Sequence, residues 1–498
     1  MKKVTANGFD NALYVKKQAE NIKKRIEQFD NKLYLEFGGK LFDDYHASRV
    51  LPGFDPSVKV KLLTEFKDDA EIIFCINAGD IEKKKIRADF GITYDLDLLR
   101  VIDNLRSMGL LVSSVVITRY CDQPAAGIFR QKLESRGLRT YLHRPTPGYP
   151  TDIDQIVSDT GFGANPCIET TRPLVVVTAP GPCSGKLATC LSQLYHEHKR
   201  GVNAGYAKFE TFPIWSIPLK HPVNLAYEAA TADLKDVNMI DPFHLEAYGK
   251  TAVNYNRDIE VFPIVRAILE RITGRNDIYC SPTDMGVNMA GVAISDDDAV
   301  REAAKQEIIR RYYKARCDVR QGTADEETAS RIELILKQLS LSDADRPVIA
   351  ASKEKSAVSG VPVMAVMLEN GKIVTGKQSN LMSAASAAVL NCIKVLARLP
   401  DELHLISPNV IEPIISLKGN TLSMKHTMLS LNEILLALAV SAASNDVVAY
   451  AMSKLSLLKG CEAHCTHMVG QEDESLLLKL RVNLTCSPHF PSKDLFYQ

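Results

Sequence analysis

Leu174-Val-Val-Val-Thr-Ala-Pro-Gly-Pro-Cys-Ser-Gly-Lys-Leu-Ala-Thr189 is the stretch on which the fold turns. Its first five residues form an apolar run ending in threonine, the pattern of a strand covered on both faces. A turn of small residues and prolines follows. Apolar positions at Leu187, Leu191, Leu194 and Tyr195 then read as a helix that Gly201 closes. Strand, small-residue turn and helix together make the context of a phosphate-binding loop. Backbone N–H groups around Gly181, Ser184 and Gly185 can converge on an anion, the helix N-terminus adds its positive end, and Lys186 can reach a phosphate. The loop is atypical. Pro180 stands where the usual pattern has glycine, Pro182 removes an N–H donor, and Leu187 replaces the Ser or Thr whose hydroxyl normally holds a metal ion. Thr178 or Thr189 is the substitute hydroxyl. The competing reading is a plain glycine turn with a surface lysine.

Outward from this stretch the chain alternates strands and helices. Strands are expected at residues 33–37, 71–76, 111–118 and 138–143, with helices at 12–30, 96–108 and 125–136. Downstream, residues 204–210, 237–240 and 278–280 read as strands, and 222–234 and 259–272 as helices. This alternation argues for βαβ units and a parallel sheet. Residues 295–340 read as charged helices. The character changes near residue 347. Residues 361–368, Asn370-Gly371 and residues 372–375 predict a hairpin with a type I′ turn, followed by small-residue helices at 381–399 and 429–443 and a last strand at 476–484. The expected architecture is α/β: a parallel-sheet, Rossmann-like or P-loop-like N-terminal portion with a separate α+β C-terminal domain. Its expected divisions are 1–165 (Rossmann-like), 166–340 (P-loop-like with a helical bridge) and 341–498.

Composition excludes several function classes. Lys+Arg and Asp+Glu both total 60, so no global charge favours nucleic acid or an anionic membrane. The longest nearly apolar run, residues 434–443, is about half of a bilayer span and reads as a buried helix. Eleven scattered cysteines suit reduced thiols, and a cytoplasmic location is expected.

Ligands of open parallel sheets gather outside the carboxyl ends of the strands. Gly38, Gly39 and Lys40, with Asp43, Asp44, His46 and Arg49 behind them, form a candidate second anion or substrate site. Asp241 stands where a Walker-B-like carboxylate would, and Asp241 or Glu210 is the candidate Mg²⁺ ligand. His46, Asp241, His244 and Arg257 are the candidate catalytic residues, with a histidine as acid or base and an arginine neutralising charge. Thr118-Arg119 and His143-Arg144 end further strands, and Lys208 and Glu210 end the strand after the loop's helix. The cofactor site is assigned to Gly181, Ser184, Gly185, Lys186 and Thr189, with Gly38, Gly39 and Lys40 beside it, and the expected cofactor is ATP or another nucleotide with Mg²⁺. Cys461-Glu-Ala-His464-Cys465-Thr-His467 is too tightly spaced to wrap a tetrahedral metal, so no zinc is expected.

Residues 37–46 (Phe-Gly-Gly-Lys-Leu-Phe-Asp-Asp-Tyr-His), 178–189, 208–213 (Lys-Phe-Glu-Thr-Phe-Pro), 221–233 (His-Pro-Val-Asn-Leu-Ala-Tyr-Glu-Ala-Ala-Thr-Ala-Asp) and 281–291 (Ser-Pro-Thr-Asp-Met-Gly-Val-Asn-Met-Ala-Gly) together carry a resemblance. Over nearly its whole length the chain resembles a bacterial family of roughly 500-residue proteins of unknown function. The resemblance implies an α/β N-terminal portion with a separate C-terminal domain, and implies no reaction. In that family glycine usually stands at the position of Cys183, and serine often at that of Cys465.

Three functional readings stand. The first is a nucleotide-dependent phosphoryl-transfer or ligase-type enzyme (a transferase, hydrolase or ligase) acting on a small polar metabolite. The second is a non-nucleotide enzyme whose loop grips a phosphorylated metabolite. The third is a non-catalytic nucleotide-binding sensor or assembly protein. The expected partner is a small-molecule substrate, with neither nucleic acid nor membrane. Packing of the small-residue helix around residues 383–388 leaves a homo-oligomer open.

Overall fold

The structure is a computed structural model that describes residues 7–39, 41–42, 44–87 and 91–492. It divides into two compact units. One comprises residues 6–228 and 236–303; the other is built mainly of residues 304–498 and includes 229–235.

The first unit is organised by a seven-stranded parallel sheet: β1 (Leu33–Phe37), β2 (Ala70–Asn77), β3 (Leu111–Thr118), β4 (Arg139–Leu142), β5 (Leu174–Thr178), β6 (Gly205–Phe209) and β7 (Gly286–Val287). Their order across the sheet is β7-β6-β1-β5-β2-β3-β4. All five residues of β1 and of β5 are buried, as expected of a sheet covered on both faces. Strands from the segments 1–165 and 166–340 interleave here, because β5 enters between β1 and β2. After β1 the chain builds toward one edge through β2, β3 and β4. It returns to the gap at β5 and then builds toward the other edge through β6 and β7. Connections leaving the carboxyl ends part between β6 and β1 and between β5 and β2, the places where a crevice opens.

The helices used below are α1 (Asn11–Gln28), α2 (Tyr94–Ser107), α3 (Pro124–Glu134), α4 (Lys186–Lys199), α5 (Pro222–Ala230) and α6 (Asn256–Thr273). Helix α4 packs against β1, β5, β6 and α6, burying Cys190, Leu191 and Leu194 completely. Helix α2 packs on β2 and β3, and α3 on β4.

Two strand expectations are corrected here. Residues 278–280 form no strand, because Tyr279 instead exchanges hydrogen bonds through its hydroxyl with the Tyr206 backbone, at 2.8 Å each way. The strand over 237–240 exists as Asn238–Ile240, but it pairs antiparallel with Val253–Tyr255 in a two-stranded ribbon outside the large sheet.

In the second unit, β8 (Val363–Met367), β9 (Ile373–Lys377), β10 (Glu462–Cys465) and β11 (Asn483–Cys486) form a mixed sheet in the order β9-β8-β10-β11. Helix α7 (Asp297–Gln321) leads into this unit, and α8 (Ala384–Ala397) and α9 (Leu431–Ala442) belong to it. The hairpin is present without a type I′ turn. Gly371 alone of the turn pair has positive φ (80°), and its N–H reaches Leu368 O while Leu368 N reaches Lys372 O. That is a three-residue loop closed by a left-handed glycine.

The small residues of α8 pack inside the unit. A Cβ on Gly376 would lie 2.1 Å from the Ala388 nitrogen, so only glycine lets β9 sit flush on that helix. The apolar run 434–443 is buried on one face only. Leu436 and Val440 of α9 are each 61% exposed while Ile434 and Leu438 are fully buried. The expected last strand at 476–484 is corrected to a helix, Gln471–Lys479, followed by β11. Its acidic first turn suits a helix N-terminus, and Leu477 is the residue it buries completely. Among the described residues no helix is long and apolar enough to cross a membrane.

Candidate functional site

The loop after β5 has the strand–turn–helix form its sequence implies, and each small residue has a local reason. Gly185 caps α4 at φ 84°, and a Cβ there would meet the Thr118 side chain at 3.0 Å. A Cβ on Gly181 would fall 2.4 Å from the Tyr94 ring, which packs directly on the loop. Ser184 turns inward, donating through Oγ to Gly181 O at 2.7 Å, while its carbonyl accepts from Thr118 Oγ1 at 2.7 Å. Cys183 holds a left-handed φ of 56°, a conformation glycine adopts without penalty. That gives a physical reason for glycine to suit the position.

Lys186 is the first residue of α4, and its side chain is only 14% exposed. Its ammonium lies 3.7 Å from Glu36 Oε1 on the neighbouring strand β1. Glu36 also accepts from the buried Tyr206 hydroxyl at 2.9 Å. The register sets Glu36 opposite Val177 on one side and opposite Lys208 on the other. Lys208 in turn bridges two carboxylates, Glu210 at 2.7 Å and Asp258 of α6 at 2.8 Å. A row of opposed charges therefore runs across β5, β1 and β6: Lys186, Glu36, then Lys208 with both Glu210 and Asp258. The five side chains are between 11% and 26% exposed, so solvent reaches them all.

Burial pushes the Glu210 carboxyl up to about 7, opposed by Lys208 and reinforced by Asp258 and Glu36. Burial works against the Lys208 ammonium, but Asp258, Glu210 and Glu36 outweigh it and hold the lysine well above its ordinary range.

Gly38 and Gly39 border the same row. Gly38 donates to Phe209 O at 3.0 Å, and a Cβ on it would stand 3.7 Å from Glu210 Oε1. Gly39 lies over Lys59, whose buried ammonium is held by Gly38 O at 3.2 Å and Asp44 at 3.1 Å. Burial opposes ionisation of Asp44, yet Lys59 and His46 bring its carboxyl below the usual range. His46 packs edge-on against Phe212 and Tyr227, with centroids at 5.7 and 5.4 Å. Tyr227 is pushed up to about 12 by burial, with Glu210 and Asp44 adding to it. Arg49 lies in the short helix Tyr45–Val50 that Asp44 caps. The expectations at Lys40 and Asp43 lie outside the described residues.

The remaining candidates sit elsewhere. Asp241 does not end a strand of the large sheet. It caps the helix Pro242–Tyr248 through His244 N at 3.0 Å, and its other oxygen accepts from Asn254 at 3.0 Å and the Thr283 hydroxyl at 2.8 Å. Fully buried and occupied in this way, its carboxylate serves as a joint between ribbon and loop. His244 meets Ser281 Oγ at 3.1 Å in the same knot. Arg257 pairs with buried Asp236 at 3.0 Å. Thr189, expected as a substitute hydroxyl, is buried beside Cys75 Sγ at 3.4 Å, whereas Thr178 Oγ1 is buried without a hydrogen-bond partner. His143 contacts Pro166 O at 3.1 Å and is lowered to about 4 by burial, and Arg144 pairs with Asp122. Both nitrogens of His464 meet hydroxyls, Thr485 at 2.8 Å and Ser487 at 3.1 Å.

A family model described as the N-terminal domain of unknown function DUF1846 matches residues 7–340, and its C-terminal counterpart matches residues 344–496. The chain belongs to the DUF1846 family. A UPF0371 protein of Clostridium botulinum (strain Alaska E43 / Type E3) is 56% identical over 498 residues, covering 98% of this chain and 99% of the relative. A UPF0371 protein of Clostridium tetani (strain Massachusetts / E88) is 55% identical with the same coverage. In this DUF1846 chain, residue spacing missed Glu36, whereas Lys208 and Glu210 stood out as the polar end of their strand. Glu36 is a lone charge inside a fully buried strand, and that incongruity was the available signal.

Proposed function

We propose that this protein is an enzyme that holds the phosphate of a small polar metabolite on the loop of residues 180–186 and performs acid–base chemistry on the remainder at Glu36, Lys208 and Glu210. One observation carries the reading. A plain glycine turn would leave its lysine in solvent, whereas Lys186 lies over the carboxyl end of the sheet with its ammonium 3.7 Å from Glu36. From the loop to Glu210 is two strand spacings, about 10 Å, within reach of a small phosphorylated molecule. The row offers cations and carboxylates side by side, chemistry suited to a hydroxyl- or carbonyl-bearing substrate.

A nucleotide with Mg²⁺ is the second reading, favoured by a carboxylate on the strand next to the loop. The fit is partial. Leu187 offers no hydroxyl, Thr189 is turned to Cys75, and Glu210 and Asp258 already share an ammonium, which leaves Glu36 as the carboxylate nearest the loop.

Thermal shifts of wild type and Lys186→Ala against sugar phosphates, inorganic phosphate, ATP, GTP and ADP, with and without Mg²⁺, test the proposal. A ligand at about a hundred times its dissociation constant stabilises by roughly 2.7 kcal/mol. Sugar phosphates are expected to raise the wild-type Tm and leave Lys186→Ala unmoved. A shift with Mg²⁺-nucleotides alone moves the assignment to the second reading, and no shift with any phosphate compound overturns both.

A further inference from the structure

The charge row is unbalanced. Along its contacts run two ammonium groups, Lys186 and Lys208, and three carboxyl groups, Glu36, Glu210 and Asp258. The groups facing Glu210 come from several elements: Lys208 beside it after β6, Asp258 on α6, Glu36 on β1, and the hydroxyls of Tyr227 on α5 and Tyr255 on the ribbon. Asp44 and Lys59 border Tyr227 and Gly39 but form a closed pair. Each of these groups other than Lys208 and Lys59 is either acidic or neutral.

Resting on the phosphate-site reading, we infer that an anion bound on the 180–186 loop is taken up together with a proton, and that Glu210 receives it. An arriving anion draws Lys186 away from Glu36 and adds negative charge at the head of the row. Both changes favour protonation of the remaining carboxylates. At about 10 Å and an effective dielectric constant near 20, one unit of charge alters proton affinity roughly tenfold. Glu210 is the group to respond, because burial already holds it near neutrality, at about 7, and a second carboxylate shares its lysine. In the liganded site Glu210 is then a carboxylic acid. It stands at the far end of the row from the phosphate, where it can donate a proton to a substrate oxygen.

The test is calorimetric titration of sulfate, an oxyanion that does not titrate near neutrality, into the full chain at pH 7. It is run in two buffers of different ionisation enthalpy. Wild type is expected to take up about half a proton per sulfate, the fraction unfilled at pH 7 by a group titrating near 7. Glu210→Gln is expected to bind sulfate with a buffer-independent enthalpy. Binding in wild type without proton uptake overturns the inference and leaves the phosphate site standing. Uptake that survives in Glu210→Gln overturns the assignment to Glu210. Sulfate that fails to bind wild type, or that binds Lys186→Ala equally well, overturns the phosphate-site reading and this inference with it. The wild-type measurement decides the main point even if Glu210→Gln does not fold.

Discussion

Both units bury charge at a sheet, and the two clusters are built on opposite principles. In the C-terminal unit Arg346 is 1% exposed and fully occupied, pairing with Glu462 and donating to Ala463 O at 3.0 Å, Asn483 O at 2.8 Å and Thr485 Oγ1 at 3.2 Å. Arg310 joins Glu462 at 2.9 Å to Glu307 at 2.8 Å, and Arg311 takes the other oxygen of Glu307 at 3.0 Å, so all four carboxylate oxygens are held by guanidinium groups. Such a network is closed, and its role is to fix β10, β11 and α7 to one another. The N-terminal row is open. It has three carboxyl groups to two ammonium groups, it reaches solvent, and Lys186 at its head begins the helix after the 180–186 loop. Burial of charge alone does not mark a site. Carboxylates in surplus over the ammonium groups they share, within reach of solvent, do.

The largest expected effect breaks the closed cluster. Arg346→Met leaves Glu462 with one buried partner fewer, and about 3–5 kcal/mol of stability is expected to go in urea unfolding. Sulfate binding by the folded fraction should be unchanged. If binding falls as well, the two clusters are not separate in kind.

Next is the pH response of the open row. A carboxyl raised to about 7 when folded, against 4.5 ordinarily, means the folded state holds a proton that the unfolded chain has released. Stability is therefore fully present below the ordinary value and is lost as pH rises through about 7. Glu210→Gln removes that loss, so the variant is expected to gain on the order of 1–3 kcal/mol over wild type at pH 8 and little at pH 5. Parallel denaturation curves at the two pH values check this, and an equal effect at both would remove Glu210 from the titrating role.

The smallest effect sharpens the loop itself. Cys183→Gly relieves a left-handed φ of 56° and is expected to be neutral or stabilising by up to about 1 kcal/mol. Cys183→Val should destabilise instead, since branching at Cβ makes that conformation worse. Thermal unfolding of the pair shows whether the loop holds this geometry in solution.

Much of the fold was legible because apolar runs and helix spacing are local. Strands β1, β3 and β5 fall at the residues their sequences indicate. The insertion of β5 between β1 and β2 was not legible, since strand order is a long-range property. The loop was readable, and so was Lys208 at the end of its strand, but Glu36 and the meeting of the two were not. Glu36 and Lys208 meet only through the parallel register of β1 and β6, which no spacing along the chain encodes. Asp241 misled for a related reason: Asp followed by Pro after a strand also describes a helix N-cap, and capping is what its geometry provides. The nearness of His46 to Gly38 and Gly39 along the chain was legible, because all three follow one strand.

Residues 180–186 are proposed to bind a phosphate-like anion beside an open charge row. A crystal of the wild-type protein soaked in tungstate tests it most directly, because the metal's anomalous signal locates the oxyanion. A peak is expected within hydrogen-bonding distance of the loop's N–H groups and of Lys186 Nζ, with that ammonium moved off Glu36. Tungstate bound elsewhere, with Lys186 still paired to Glu36, would contradict it.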